Sequence, residues 1–139
     1  MIKIFFYYSN LKRKPDKGID YLIKENFLDP SPRSIAEFLF NRNCLSKQMI
    51  GDYISNTQDR HIKSILNEYM SLIDLSNMPV DEALRKFQSH FRMPGEAQKI
   101  EHLTQKFSQR YIECNELECK RLFVSAENTL DVLAYAIIM

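Results

Sequence analysis

Between Ile62 and Ile73 the apolar residues Ile62, Ile65, Leu66, Tyr69, Met70 and Ile73 recur every three or four positions, the spacing that lines one face of an α-helix. A stripe of that width is stable only when another element covers it, so the chain must solve its folding problem by packing helix on helix. The same grammar returns along the sequence. Ile19, Leu22, Ile23 and Phe27 share one helical face, as do Ile35, Phe38 and Leu39. Val80, Ala83, Leu84, Phe87 and Phe91 form another stripe, and Ile100, Leu103, Phe107 and Tyr111 a further one. Outside the first eight residues no run alternates with period two, so strands have no foothold. The expectation is an all-α single domain, an array of packed short helices without a parallel sheet. No repeat of fixed period argues for a solenoid.

Punctuation between the stripes refines this. Pro15-Asp16-Lys17-Gly18 reads as a turn ahead of the first helix. Pro32 suits a first helical turn, and Ser34 with Glu37 has the spacing of a capping box. Gly51 stands inside a short helical stretch, Leu45 to Ile54, where a closely packed neighbour would account for it. Pro79 precedes Asp81 and Glu82, acids suited to a helix start.

At 139 residues the chain is about one domain long. With 45% hydrophobic and 27% charged residues it has the composition of a globular protein. A net charge of +1 supplies no basic field to recruit nucleic acid or acidic membrane. Cys44, Cys114 and Cys119 are odd in number and fit no disulfide framework, which points to reduced thiols and a cytoplasmic protein. The opening "MIKIFFYY" is too short for a signal segment, and no run is long enough to span a membrane. His61, His90 and His102 share no metal-binding spacing with the cysteines, and no glycine-rich phosphate loop is present, so neither a metal nor a nucleotide cofactor is expected. The basic cluster "NLKRKPDK" reads as a solvated loop.

One break in the helical pattern stands apart. In "RMPGEAQKI", Arg92 to Ile100, Pro94 bars a helix from passing and pushes Met93 out of the α region. Gly95 adds a backbone free to turn through positive φ. Glu96 then opens the next helix, where amide dipoles favour a carboxylate by about 0.3–1 kcal/mol. By spacing alone Glu96 is a helix-start acid. Arg92, Gln98 and Lys99, beside it, read equally as exposed helix residues or as groups that hold the loop or touch a partner.

The stretch "DEALRKFQSHFRMPGEAQKIEHLTQKFSQRYIECN", Asp81 to Asn115, resembles the first signature motif of the Sec-seven domain, the catalytic module of guanine-nucleotide exchange factors for Arf GTPases. "KPDKGIDYLI", "SIAEFLF", "LSKQMIGDYI" and "LDVLAYAIIM" resemble further family segments in the right order, and the likeness runs from about Leu11 onward. "LSKQMIG" with "DEALRKFQSH" leans toward the BRAG or IQSEC-like branch. The resemblance implies that Glu96 is the family's glutamic finger, which enters the nucleotide site of an Arf-family GTPase near the Mg²⁺ and the β-phosphate. In that reading Met93, Pro94 and Gly95 form the tight bend that presents the finger and, with Gln98 and Lys99, are the candidates to touch the partner, Gln98 and Lys99 being equally readable as ordinary exposed helix residues. Tyr135, Ile138 and Met139 match one side of the groove that grips the switch regions, or serve as plain core. The reaction implied is release of GDP without covalent chemistry.

Several positions depart from the family pattern. Asp131 stands where an aromatic residue is usual, and an acid there would weaken docking of apolar switch residues. "ELECKRLF" replaces a glycine-containing turn, and "MIKIFFYY" the usual first helix, so residues 1–10 read as an atypical segment and 11–139 as a partial exchange domain lacking the last helices. Tyr135 resembles brefeldin-sensitive members and Ala136 resistant ones; the branch favours resistance. Two functions follow as expectations. One is exchange on an Arf-family GTPase, with membrane association only through that partner or through missing domains. The other is a truncated helical binding module without exchange activity.

Overall fold

Pro15, Ser46 and Asp59 each stand where a helix begins, and the structure shows how local chemistry sets those starts. The computed structural model describes residues 14–41, 45–122 and 126–138; residues 1–10, Cys44 and Met139 lie outside that set. Among the described residues eight helices follow in order: α1 (Pro15–Lys24), α2 (Pro32–Asn41), α3 (Lys47–Ile54), α4 (Arg60–Ser71), α5 (Val80–His90), α6 (Ala97–Cys114), α7 (Glu116–Leu122) and α8 (Ala126–Ile138). No strand occurs among the described residues, in keeping with the all-α expectation.

Two local expectations are corrected. Pro15 to Gly18 is the first turn of α1 rather than a turn before it. Proline at the first helical position lacks only a hydrogen that would have found no partner there, and Asp16 meets the amide dipoles. Ser34 does not cap α2 either. Ser31 does, its Oγ accepting from the Ser34 amide at 3.3 Å, while Glu37 turns outward to Arg33 at 2.9 Å. The remaining caps follow ordinary rules: the Ser46 side chain accepts from the Met49 amide at 3.1 Å, and Asp59 from the amides of His61 and Ile62. Asn26, with φ at 61°, ends α1. Its amide bonds Ile23, and the Phe27 amide reaches back to the Leu22 carbonyl at 2.9 Å.

The helices meet through the stripes read from the sequence, except that Phe27 lies beyond the end of α1 and is 71% exposed rather than on its buried face. α2 packs along α4, α4 reaches α6, and α8 lies along α6. Ile35, Leu39, Ile65, Tyr69, Leu103 and Phe107 are all fully buried. At the centre an aromatic cluster joins three elements: Phe87 lies 4.9 Å from Phe91 and 5.2 Å from Phe107, and Phe91 lies 6.1 Å from Tyr69, ring centre to ring centre. These tilted and edge-on contacts add to the area that each ring buries.

α6 also ties down the connection between α4 and α5. Arg110 donates to the carbonyls of Ile73 at 2.7 Å and Ser71 at 3.0 Å, and Tyr111 Oη donates to Met78 at 2.8 Å. The Asn115 amide nitrogen donates to Leu75 and Tyr111, and its oxygen accepts from Asn77. Asn77 is held at φ 58°, a conformation asparagine tolerates. Every polar atom of the Asn115 side-chain amide is thus put to structural use, and α5 receives a fixed starting point.

Candidate functional site

The site is built where α5 ends. Phe91 is fully buried, and its backbone is already extended at φ −155°, ψ 163°. The chain therefore leaves α5 with one side chain locked in the core. Arg92 is fixed by its backbone, its amide donating to the Lys47 carbonyl of α3 at 3.0 Å. Met93 packs partly against the core, and Pro94 fixes one more dihedral. Glu96 is the N-cap of α6, with φ −84° and ψ 128°, and its carbonyl accepts the first bond of that helix from Ile100 at 3.0 Å. The five residues from Arg92 to Glu96 thus span two anchored ends. Gly95 is exposed and does not use the positive φ open to it: the bend comes from Pro94 and the extended residues. A side chain at Gly95 would meet open space.

Glu96 makes no capping bond with its side chain, so the carboxylate does not fold back onto the amides of α6. It is 72% exposed, and an ion pair is formed with Lys99 Nζ, at 3.4 Å. A pair this open contributes roughly 0.2–1 kcal/mol, little enough for a competing cation to displace it. Lys99 thus holds the Glu96 side chain as it stands. Gln98 is exposed and close by.

One helical turn further along, α6 and α8 enclose a groove of about 520 Å³ lined by Glu101, Thr104, Gln105, Asp131, Val132, Tyr135 and Ala136. Glu101 lies five residues beyond Glu96, about 7.5 Å along the helix axis. Thr104 and Ser108 are buried with their hydroxyls bonded to carbonyls one turn back, at 2.8 and 3.0 Å. Asp131 Oδ1 is buried without a partner among the described residues. Tyr135 lines the groove, and Ile138, partly buried, packs against the core. Met139 is outside the described residues. Val132 is 71% exposed and Ile137 53%, giving α8 an apolar outer face beside a buried one made by Leu130 and Ala134.

Glu101, Thr104 and Gln105 were not singled out from the sequence as site residues. They occupy the α6 positions between the buried stripe of Ile100, Leu103 and Phe107 and the solvent face, and only the course of α8 turns that flank into a wall. No group of three or more metal-ligating side chains gathers among the described residues.

Comparison with known proteins agrees with this architecture. The family model of the Sec7 (Sec-seven) domain matches residues 5–139. The chain is 42% identical over 131 residues, 94% of its length, to brefeldin A-inhibited guanine nucleotide-exchange protein 2 of Arabidopsis thaliana. It is 41% identical over 127 residues, 91% of its length, to brefeldin A-inhibited guanine nucleotide-exchange protein 1 of Homo sapiens. It spans 7% of the length of each of these relatives. Among solved structures, the Sec7p catalytic domain superposes with a TM-score of 0.85 at 35% identity, covering 98% of this chain and 72% of that one. A Sec7 domain bound to ARF1-GDP and brefeldin A superposes with a TM-score of 0.83 at 34% identity, covering 96% of this chain and 65% of that one.

Proposed function

The chain belongs to the Sec7 domain family, and from that premise we propose that it accelerates GDP release from an Arf-family GTPase by inserting Glu96 beside the nucleotide's phosphates. The observation that carries this reading is the state of Glu96: an exposed carboxylate on a short loop anchored at both ends. A GTPase holds GDP through Mg²⁺, a lysine and backbone amides around the phosphates. A carboxylate brought into that site repels the phosphate and competes for its cations, and Lys99 gives it up at small cost. Because the loop is fixed before binding, little conformational entropy is lost on insertion. The groove between α6 and α8 would take the apolar switch residues of the GTPase. Two relatives support the assignment by what they are: exchange proteins by name, and a Sec7 domain seen on ARF1-GDP.

The test is release of fluorescent GDP from a purified Arf with the chain in molar excess. Acceleration supports the proposal. A folded chain that binds the GTPase without accelerating release would instead make it a binding module. No helix among the described residues is long and apolar enough to cross a membrane; membrane recruitment through the GTPase belongs to the same proposal.

Asp131 gives a second check. Its Oδ1 is buried without a partner among the described residues and the residue lines the groove, where a carboxylate is a poor neighbour for docking apolar side chains. Asp131→Tyr is expected to tighten GTPase binding roughly tenfold, worth about 1.4 kcal/mol. An unchanged dissociation constant in a titration would remove Asp131 from the docking surface.

A further inference from the structure

We infer that Gly51 is a positioning residue for Glu96: the missing side chain on α3 is what allows the Arg92 peptide to lie against that helix and hold the finger loop in place. The inference rests on the finger reading above and adds the element that aims it. A Cβ built on Gly51 would stand 2.0 Å from the Arg92 carbonyl oxygen and 3.1 Å from its carbonyl carbon. Both are backbone atoms, so no rotamer change relieves the clash; the peptide itself must move by more than about 1 Å to reach ordinary contact. One turn earlier on the same face of α3, Lys47 accepts the Arg92 amide at 3.0 Å. Lys47 and Gly51 therefore grip the two sides of one residue, four positions before Glu96.

Glycine inside a helix is destabilising by roughly 0.5–1 kcal/mol relative to alanine. In α3 that cost is borne at a position that touches the loop rather than at an exposed one. Gly95, within the loop itself, has open space around it and ordinary φ. Of these two glycines, the one whose smallness the geometry requires lies outside the signature stretch.

A double-mutant cycle in the GDP-release assay tests this on the whole chain. Gly51→Ala is expected to lower kcat by about 10- to 100-fold, the scale of a misplacement near 1 Å, with KM for the GTPase within about twofold. In a Glu96→Ala background the same change should cause no further loss. Equal losses in both backgrounds would reduce Gly51 to a residue of the fold and overturn the inference, as would an undiminished kcat. Amide hydrogen exchange supplies a readout free of activity. The Arg92 amide should exchange at least about tenfold faster in Gly51→Ala while the amides of Leu103 and Phe107 keep their protection, and unchanged protection of Arg92 counts against the inference. Arg92→Pro, read against Arg92→Ala, removes the same donor without adding an atom to α3, and Phe91 already has the extended backbone that a following proline requires. A kcat equal to that of Arg92→Ala overturns the inference even where Gly51→Ala does not fold. If Glu96→Ala itself leaves GDP release undiminished, the finger reading falls; the Arg92 amide then still decides whether Gly51 seats the loop.

Discussion

Glu96→Lys is expected to lower the rate of accelerated GDP release by about 10³-fold, because a unit charge about 4 Å from another is worth roughly 4 kcal/mol at an effective dielectric near 20. The substitution reverses the sign of the group brought to the phosphates: repulsion becomes attraction, and the competition for Mg²⁺ is lost. The fold should survive it. Glu96 is 72% exposed, makes no capping bond with its side chain, and pairs only with Lys99 among the described residues. Losing that pair, placing two lysines one turn apart and setting a cation at a helix N-terminus together cost about 1–2 kcal/mol. Circular dichroism should therefore show full helical content and a melting point lower by only several degrees. Glu96→Ala should fall between the two proteins, since it removes repulsion without adding attraction. Wild-type release rates from Glu96→Lys would remove the finger assignment, whereas a collapse of helicity would show that Glu96 serves the fold.

Most of the fold can be read from periodicity, because a helix that must bury one face leaves that demand in the spacing of its apolar residues. Ile62 to Ile73 and Ile100 to Tyr111 emerged buried where the spacing placed them. Local starts were less legible. Pro15-Asp16-Lys17-Gly18 contains the residues of a turn and also those of a helix start, and only burial of Gly18 and Ile19 against neighbouring elements settles which. Ser31 and Ser34 both offer a hydroxyl for α2; the choice depends on the backbone arriving from Asp29, whose carboxylate accepts the Ser31 amide at 2.9 Å. The loop at Met93-Pro94-Gly95-Glu96 was legible because proline announces a break. Its anchorage was not, since the Lys47 carbonyl and the empty side of Gly51 lie some forty residues away, and a backbone contact of that range leaves no pattern in side chains. The groove's second wall stayed hidden for a related reason: Glu101, Thr104 and Gln105 are ordinary helix residues until α8 is laid beside them.

Phe91→Ala joins core and site, and it should be the most destabilising of the substitutions considered. The ring is fully buried, 4.9 Å from Phe87 and 6.1 Å from Tyr69, on three elements' shared centre. Removing it forfeits the transfer energy of the ring and leaves a cavity that helices pinned by Arg110 and Asn115 cannot easily close. The expected loss is about 3–5 kcal/mol, a large part of the 5–15 kcal/mol typical of a whole domain. Urea denaturation should show the midpoint falling with an unchanged slope. Leu117→Ala, at an 86% exposed position, should shift stability by less than about 0.5 kcal/mol. The functional consequence differs from that of Glu96→Lys. At low temperature, where Phe91→Ala is still folded, the Arg92 peptide keeps its bond to Lys47 but loses the adjacent ring that fixed the chain's exit from α5. GDP release should then slow while the Glu96 charge remains, and it should slow further on warming well below the melting point of the parent chain. A loss of stability under about 1 kcal/mol would mean that Phe91 does not fill the centre of the core; full stability loss with an undiminished kcat for the folded fraction would mean that Arg92 alone is enough to aim the finger.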